Sequence, residues 1–265
     1  MFTRIAIAKY YRSLLLTSIS FGLFLNNPAQ ARTNTSNQTE QLQISWKTFA
    51  RQNSSGDRTW GRPPSRTSGG SRTSCEEQLI ALVPGKDRVD NQCKGESRSF
   101  MTATLAKNPT IWIYIPPSFR SQSAELVILD SQQHPRSRES IDLSETEGIV
   151  GLQPDTALAV NQGYRWQLSV LLDPQSPAQN PTVEGLIKRI SSSDRLSNLN
   201  DSELETARLY ARSGIWQDSV TSLAKLYCNN PQDTVIKDDW FNLLSVAGLG
   251  AIASKPIVDC QNLAL

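Results

Sequence analysis

The sequence predicts a mainly β protein: an antiparallel, immunoglobulin-like β-sandwich with a small C-terminal α-helical cap. Three observations predict it. Eight short runs rich in β-branched and aromatic residues follow one another between positions 79 and 190. Clusters of Gly, Pro, Asn, Asp or Ser separate most of them at near-regular spacing without helical spacers, as expected of short antiparallel strands. From about Asn200 the apolar period lengthens to that of a helix surface.

The predicted strands are "LIALV" (79–83), "SFMTATL" (99–105), "TIWIYI" (110–115), "ELVILD" (125–130), "RESIDL" (138–143), "GIVGL" (148–152), "YRWQLSVLL" (164–172) and "TVEGLIKRI" (182–190). Turn signals stand between them, among them Lys107-Asn108-Pro109, Pro116-Pro117, Asn161-Gln162-Gly163 and Asp173-Pro174. In the third run Ile111, Ile113 and Ile115 share one face, while Trp112 and Tyr114 share the other. Both faces are apolar, which predicts a central strand. Trp112 and Trp166 read as core anchors.

Three helices follow. "SELETARLYARSG" places Leu204, Ala207 and Ala211 on one face, with Gly214 suited to a left-handed C-cap. "WQDSVTSLAKLY" groups Val220, Leu223, Ala224 and Tyr227 and stops at Asn229-Asn230-Pro231. "KDDWFNLLSVAG" groups Trp240, Leu243, Leu244 and Ala247, with Asp238 and Asp239 expected in its first turn, where acids oppose the helix dipole.

The ends differ from the middle. Residues 1–31 have the layout of a secretory signal: Arg4, Lys9 and Arg12, then an apolar run from Ser13 to Leu25, then the small-x-small site Ala29-Gln30-Ala31 ahead of Arg32. The apolar run is shorter than the roughly 20 residues that span a bilayer, and no second apolar run of that length follows, so no transmembrane span is expected after cleavage. Residues 32–74 carry seven Lys or Arg against two acids and are rich in Ser, Thr, Asn and Gln. Such a segment buries too little apolar surface to offset its ordering entropy and is expected to be a disordered, basic tail. Residues 75–265 hold 17 basic and 23 acidic residues. The expected division is therefore 1–31 signal, 32–74 tail, 75–195 sandwich and 196–265 helical region.

The cysteines are Cys75, Cys93, Cys228 and Cys260. An even count in an exported chain favours disulfides. Three connectivities are possible; pairing Cys75 with Cys93 and Cys228 with Cys260 keeps each bridge inside one predicted module. The long spacings and the single histidine argue against zinc.

Catalytic chemistry finds no motif. "RPPSRTSGGSRTSC" (62–75) lacks the Gly-Lys-Ser/Thr ending of a phosphate loop and the glycine that a nucleophile elbow needs two residues after its serine. His134, the one histidine, sits in "QQHPRSR", a hairpin turn. Carboxylate pairs need not be close in sequence, and nothing singles out two among 25 acids. No cofactor is expected. Arg51, Arg58, Arg62, Arg66 and Arg72 recur through the tail and are candidates for an electrostatic tether to anionic envelope polymers or headgroups. Nucleic acid is a poor match, since no basic face is interleaved with aromatics.

"RPPSRTSGGSRTSC", followed in order by "LIALVP", "PTIWIYIPPS", "ELVILD", "GYRWQLSVLLDP" and "VEGLIKRI", resembles the cyanobacterial family catalogued as domain of unknown function 928. The resemblance covers roughly Pro63 to Leu249, and "LYARSGIWQDSVTSLAKL" resembles its usual ending. Leu186 and Leu172 depart from it, standing where a tryptophan and often a cysteine are usual. The resemblance implies an exported protein of cyanobacterial type, with no catalytic residues to carry over. The functional expectation is an exported, non-catalytic binding or structural module of the envelope or cell exterior, its partner an unidentified protein or envelope polymer. A surface component tethered by its basic tail is the alternative, and a carboxylate-dependent polysaccharide hydrolase a third reading.

Overall fold

The computed structural model describes residues 64–68, 77–85, 98–120, 122–143, 146–173, 175–192, 202–258 and 260. Among them, eight strands form two sheets and three helices follow. The strands are β1 (Ile80–Ala81), β2 (Met101–Thr104), β3 (Ile111–Ile115), β4 (Ser123–Leu129), β5 (Pro135–Asp142), β6 (Gly148–Leu152), β7 (Gly163–Leu171) and β8 (Thr182–Arg189). The helices are α1 (Glu203–Arg212), α2 (Trp216–Asn229) and α3 (Thr234–Val246). One sheet has the order β1-β3-β6; the other has the order β2-β8-β7-β4-β5. The protein is thus mainly β, with its helices near the C-terminus.

The expectation of wholly antiparallel strands needs correction. β2 pairs with β8 in parallel, so the larger sheet is mixed. Alternation of side chains sets which face a residue takes but not the direction of the strand. Nothing in "SFMTATL" could have revealed it.

The smaller sheet is the middle layer of three. Leu79, Ala81, Val83, Ile111, Ile113, Ile115 and Val150 pack against Ala124, Leu126, Ile128, Trp166, Leu168 and Val170 of the larger sheet. Ile80, Leu82, Trp112, Tyr114 and Ile149, from the opposite face, pack against Ala207, Trp216, Val220, Leu223, Trp240 and Leu244 of the helices. β3 is central and buried at every position, because each of its faces serves a different core. Burying each such side chain contributes roughly 1.5–3 kcal/mol, so the helices complete the sheet rather than cap a finished sandwich.

Helix boundaries follow local chemistry. Ser202 caps α1, its hydroxyl accepting from the Glu205 N–H, and Gly214 ends it at φ 74°, a conformation cheap only for glycine. Asp233 caps α3 by accepting from the Val235 and Ile236 N–H groups. The helix therefore starts a turn earlier than expected, and Asp238 and Asp239 lie past its first turn. Asp239 instead accepts from Arg208 of α1 at 2.7 Å.

Both ends of the described body are tied in. Segment 256–258 lies parallel along β6: the Ile149 N–H donates to Pro256 O and the Val258 N–H to Ile149 O. Cys260 beyond it is joined to Cys228 of α2. At the other end, Ser65 and Thr67 bridge to Arg98 and Ile80, and the Glu184 N–H donates to Ser65 O. Residues 64–68 are therefore part of the fold, which corrects a tail running to 74 and a sandwich starting at 75.

Arg66 shows why. Its side chain is 0% exposed and donates to Val83 O at 3.0 Å and to Ala247 O at 2.7 Å. It is a core residue, and its assignment to an electrostatic tether is withdrawn. In sequence it looks like its tail neighbours; its second acceptor lies 181 residues away. The signal segment with Ala29, Ala31 and Arg32, the tail residues Arg51, Arg58, Arg62 and Arg72, and Cys75 and Cys93 lie outside the described residues. No helix among the described residues is long and apolar enough to cross a membrane.

Candidate functional site

A cleft of about 310 Å³ opens between the helical layer and the loop joining β2 to β3. Its residue types set it apart from the cores beside it. Thr104, Ala106, Asn108, Pro109 and Thr110 form one wall, with Gln153 beyond the end of β6; Tyr210 of α1 and α2 from Gln217 to Lys225 form the other.

Helix α2 has two faces. Val220, Leu223 and Ala224 enter the helical core. Asp218, Thr221, Ser222 and Lys225, at the i, i+3, i+4, i+7 spacing of one helical stripe, line the cleft instead. A polar stripe on a helix normally meets solvent; here it meets a loop, and the gap between them is the cleft.

The wall opposite is held by side chains reaching for backbone. Asn108 donates through Nδ2 to Pro154 O and Asp155 O, each at 3.2 Å, and Gln153 donates through Nε2 to Asn108 O at 3.0 Å. The loop therefore cannot fold into the cleft without losing three bonds. Thr221 accepts from Trp112 Nε1 at 3.0 Å, which fixes α2 against β3. Gln217 is 1% exposed and donates to Thr110 O at 3.2 Å, while its amide oxygen has no hydrogen-bond partner. A buried acceptor left unmade costs roughly 1–3 kcal/mol.

Asp218 is the one carboxylate among the lining residues. It accepts from the Leu105 N–H at 3.1 Å, and beside it the Ala106 N–H donates to the Thr104 hydroxyl at 3.1 Å. Burial pushes its pKa above the ordinary 3.8, and its hydrogen bonds offset the push only in part. Burial also raises Tyr210, helped by repulsion from Asp218. Through that bond to Leu105, Asp218 clamps the chain just past β2 to α2. Lys225, two turns further on, lies about 10 Å away along the helix axis and pairs with no carboxylate among the described residues.

The other residues read from the sequence lie elsewhere. His134 is exposed in the β4–β5 turn, where its backbone N–H donates to Asp130 Oδ1. Trp112 and Trp166 are both buried in the cores. Among the described residues no group of three or more His, Cys, Asp or Glu is placed to hold a metal ion. The cleft itself was missed, although "DSVTSLAK" carries its signal: a polar stripe at helical spacing beside the apolar one.

The family model described as Domain of Unknown Function (DUF928) matches residues 64–257. Comparison with curated proteins gives no match.

Proposed function

The chain belongs to the DUF928 family, and on that premise we propose that it is an exported, non-catalytic binding module of the envelope or cell exterior whose site is the cleft beside α2. The matched span begins just before Arg66 and ends at Ile257, in the segment laid along β6. The cleft thus lies inside the family's domain.

The observation that carries the reading is the polar stripe of α2 facing a fixed, open cleft. Pockets that bind ligands run from roughly 300 Å³ upward and use a few convergent polar groups. Binding suits this site better than hydrolysis, since glycoside cleavage needs two carboxylates and Asp218 is the only one lining the cleft. An immunoglobulin-like use of the two-sheet body, presenting its loops to a partner, belongs to the same reading as fold-level analogy. Export agrees with the leader-like residues 1–31 and with the Cys228–Cys260 disulfide.

A tethering role for the tail rests on Arg51, Arg58, Arg62 and Arg72, Arg66 being spent in the core. One experiment separates the two. The exported chain, a Ser222→Trp variant that fills the cleft and a deletion of residues 32–63 are mixed with source-cell envelopes at low and high salt. Capture lost with Ser222→Trp supports the cleft. Salt-sensitive capture lost only with the deletion supports the tail. Capture unaffected by either overturns both.

A further inference from the structure

We propose that the cleft takes a carboxylate-bearing sugar, a uronic-acid unit of an acidic glycan. The inference rests on the cleft being a binding site and names its ligand class. Lys225 is the one cation among the lining residues and pairs with no acid among those described, so the cleft holds an unneutralised positive end. The negative end, Asp218, is about 10 Å off and accepts from the Leu105 N–H. A ligand carboxylate would sit at Lys225 with little repulsion.

Around that charge the lining offers the Ser222 hydroxyl, the Tyr210 phenol and the amide oxygens of Asn108 and Gln153, whose nitrogens hold the wall. These are the partners of ring hydroxyls. The Gln217 amide oxygen, which accepts nothing, gains a donor if a small rotation turns it toward a bound hydroxyl. A cleft of about 310 Å³, at the lower end of the ligand-pocket range, takes one or two rings and leaves the rest of a polymer outside. A lone lysine offsets the single charge of a carboxylate but leaves much of a phosphate's charge, about −1.5 to −2 near neutral pH, unbalanced.

The test is calorimetry and saturation-transfer NMR on the purified exported chain. The probes are trigalacturonate, a neutral galactose trisaccharide, tri-aspartate and inorganic phosphate. Trigalacturonate is expected to bind, and Lys225→Ala to weaken it about tenfold, the scale of one lost ion pair, while the weaker neutral trisaccharide changes less than about twofold. Ser222→Trp is expected to abolish both. If tri-aspartate or phosphate matches trigalacturonate and Ser222→Trp still blocks it, sugar recognition is overturned and the cleft stands as a site. If trigalacturonate binds regardless of Ser222→Trp, the cleft is not where it binds, and both readings fall. If nothing binds, the sugar is overturned, and envelope capture by the cleft alone decides the broader reading.

Discussion

The guanidinium of Arg66 donates to the carbonyl of Ala247 at 2.7 Å, at the C-cap of α3. The N-terminal edge of the fold is thereby bound to the helical layer, with a cation at the end of a helix where carbonyls carry the negative end of the dipole. Removing the side chain strands two buried carbonyls. Arg66→Ala is expected to cost about 2–5 kcal/mol, read as a fall in the urea midpoint. Arg66→Lys should recover part of it, because both carbonyls take from the single nitrogen Nη1 and an ammonium carries three donors.

Gly185 lies directly opposite Trp166 on β8, and a β-carbon there would stand 2.5 Å from the indole. Gly185→Ala is expected to destabilise by about 1–3 kcal/mol through overpacking, measured by thermal unfolding.

The tryptophans also differ among themselves. The indole N–H of Trp240 donates to Ala253 O and that of Trp216 to Leu82 O, whereas that of Trp166 has no partner. Replacement by Phe at 240 or 216 strands a carbonyl; at 166 it removes an orphan donor. Trp166→Phe should therefore be the mildest of the three by about 1 kcal/mol in the same unfolding measurement.

The Cys228–Cys260 bridge closes a sequence separation of 32 residues. Opening it is expected to cost about 4 kcal/mol on the chain-entropy account. Hydrogen exchange would show where: the amides of Ile149 and Val258, paired between β6 and the C-terminal segment, should lose protection first on reduction. Equal protection in both redox states would mean the segment holds without its staple.

Two carboxylates make stability depend on pH in opposite senses. Burial raises Asp218, so the folded state holds its proton more tightly; that contribution is present below 3.8 and is lost as pH rises through the raised value. The Arg208 hydrogen bond lowers Glu205, so its contribution is present above 4.5 and is lost as pH falls. Asp218→Asn should flatten the first slope and Glu205→Gln the second, in denaturation midpoints taken from pH 3 to 7.

How much of this was legible depends on how far apart the partners lie. Runs of β-branched and aromatic residues between turn signals marked all eight strands, and Trp112 and Tyr114 against Ile111, Ile113 and Ile115 marked β3 as two-faced. The helical period did the same for α1 to α3. What failed was non-local. The parallel direction of β2 depends on β8, some 80 positions on, and the burial of Arg66 depends on Ala247. Asp238 looked like a helix start because Asp233, the true cap, stands outside the apolar pattern. The cleft was legible in part: its α2 wall is a stripe in the sequence, but a stripe does not say whether it meets water or a loop.

The two-faced strand has a consequence for how such a module can be inherited. A fragment carrying only the sheets would turn Ile80, Trp112, Tyr114 and Ile149 toward water, and one carrying only the helices would expose Trp216, Val220 and Leu223. Neither half is a viable intermediate for recombination, because each would aggregate before it could be selected. Gene fusions and exchanges should therefore move residues 64–260 as one block, and new specificities should arise by substitution along the cleft rather than by swapping the helices.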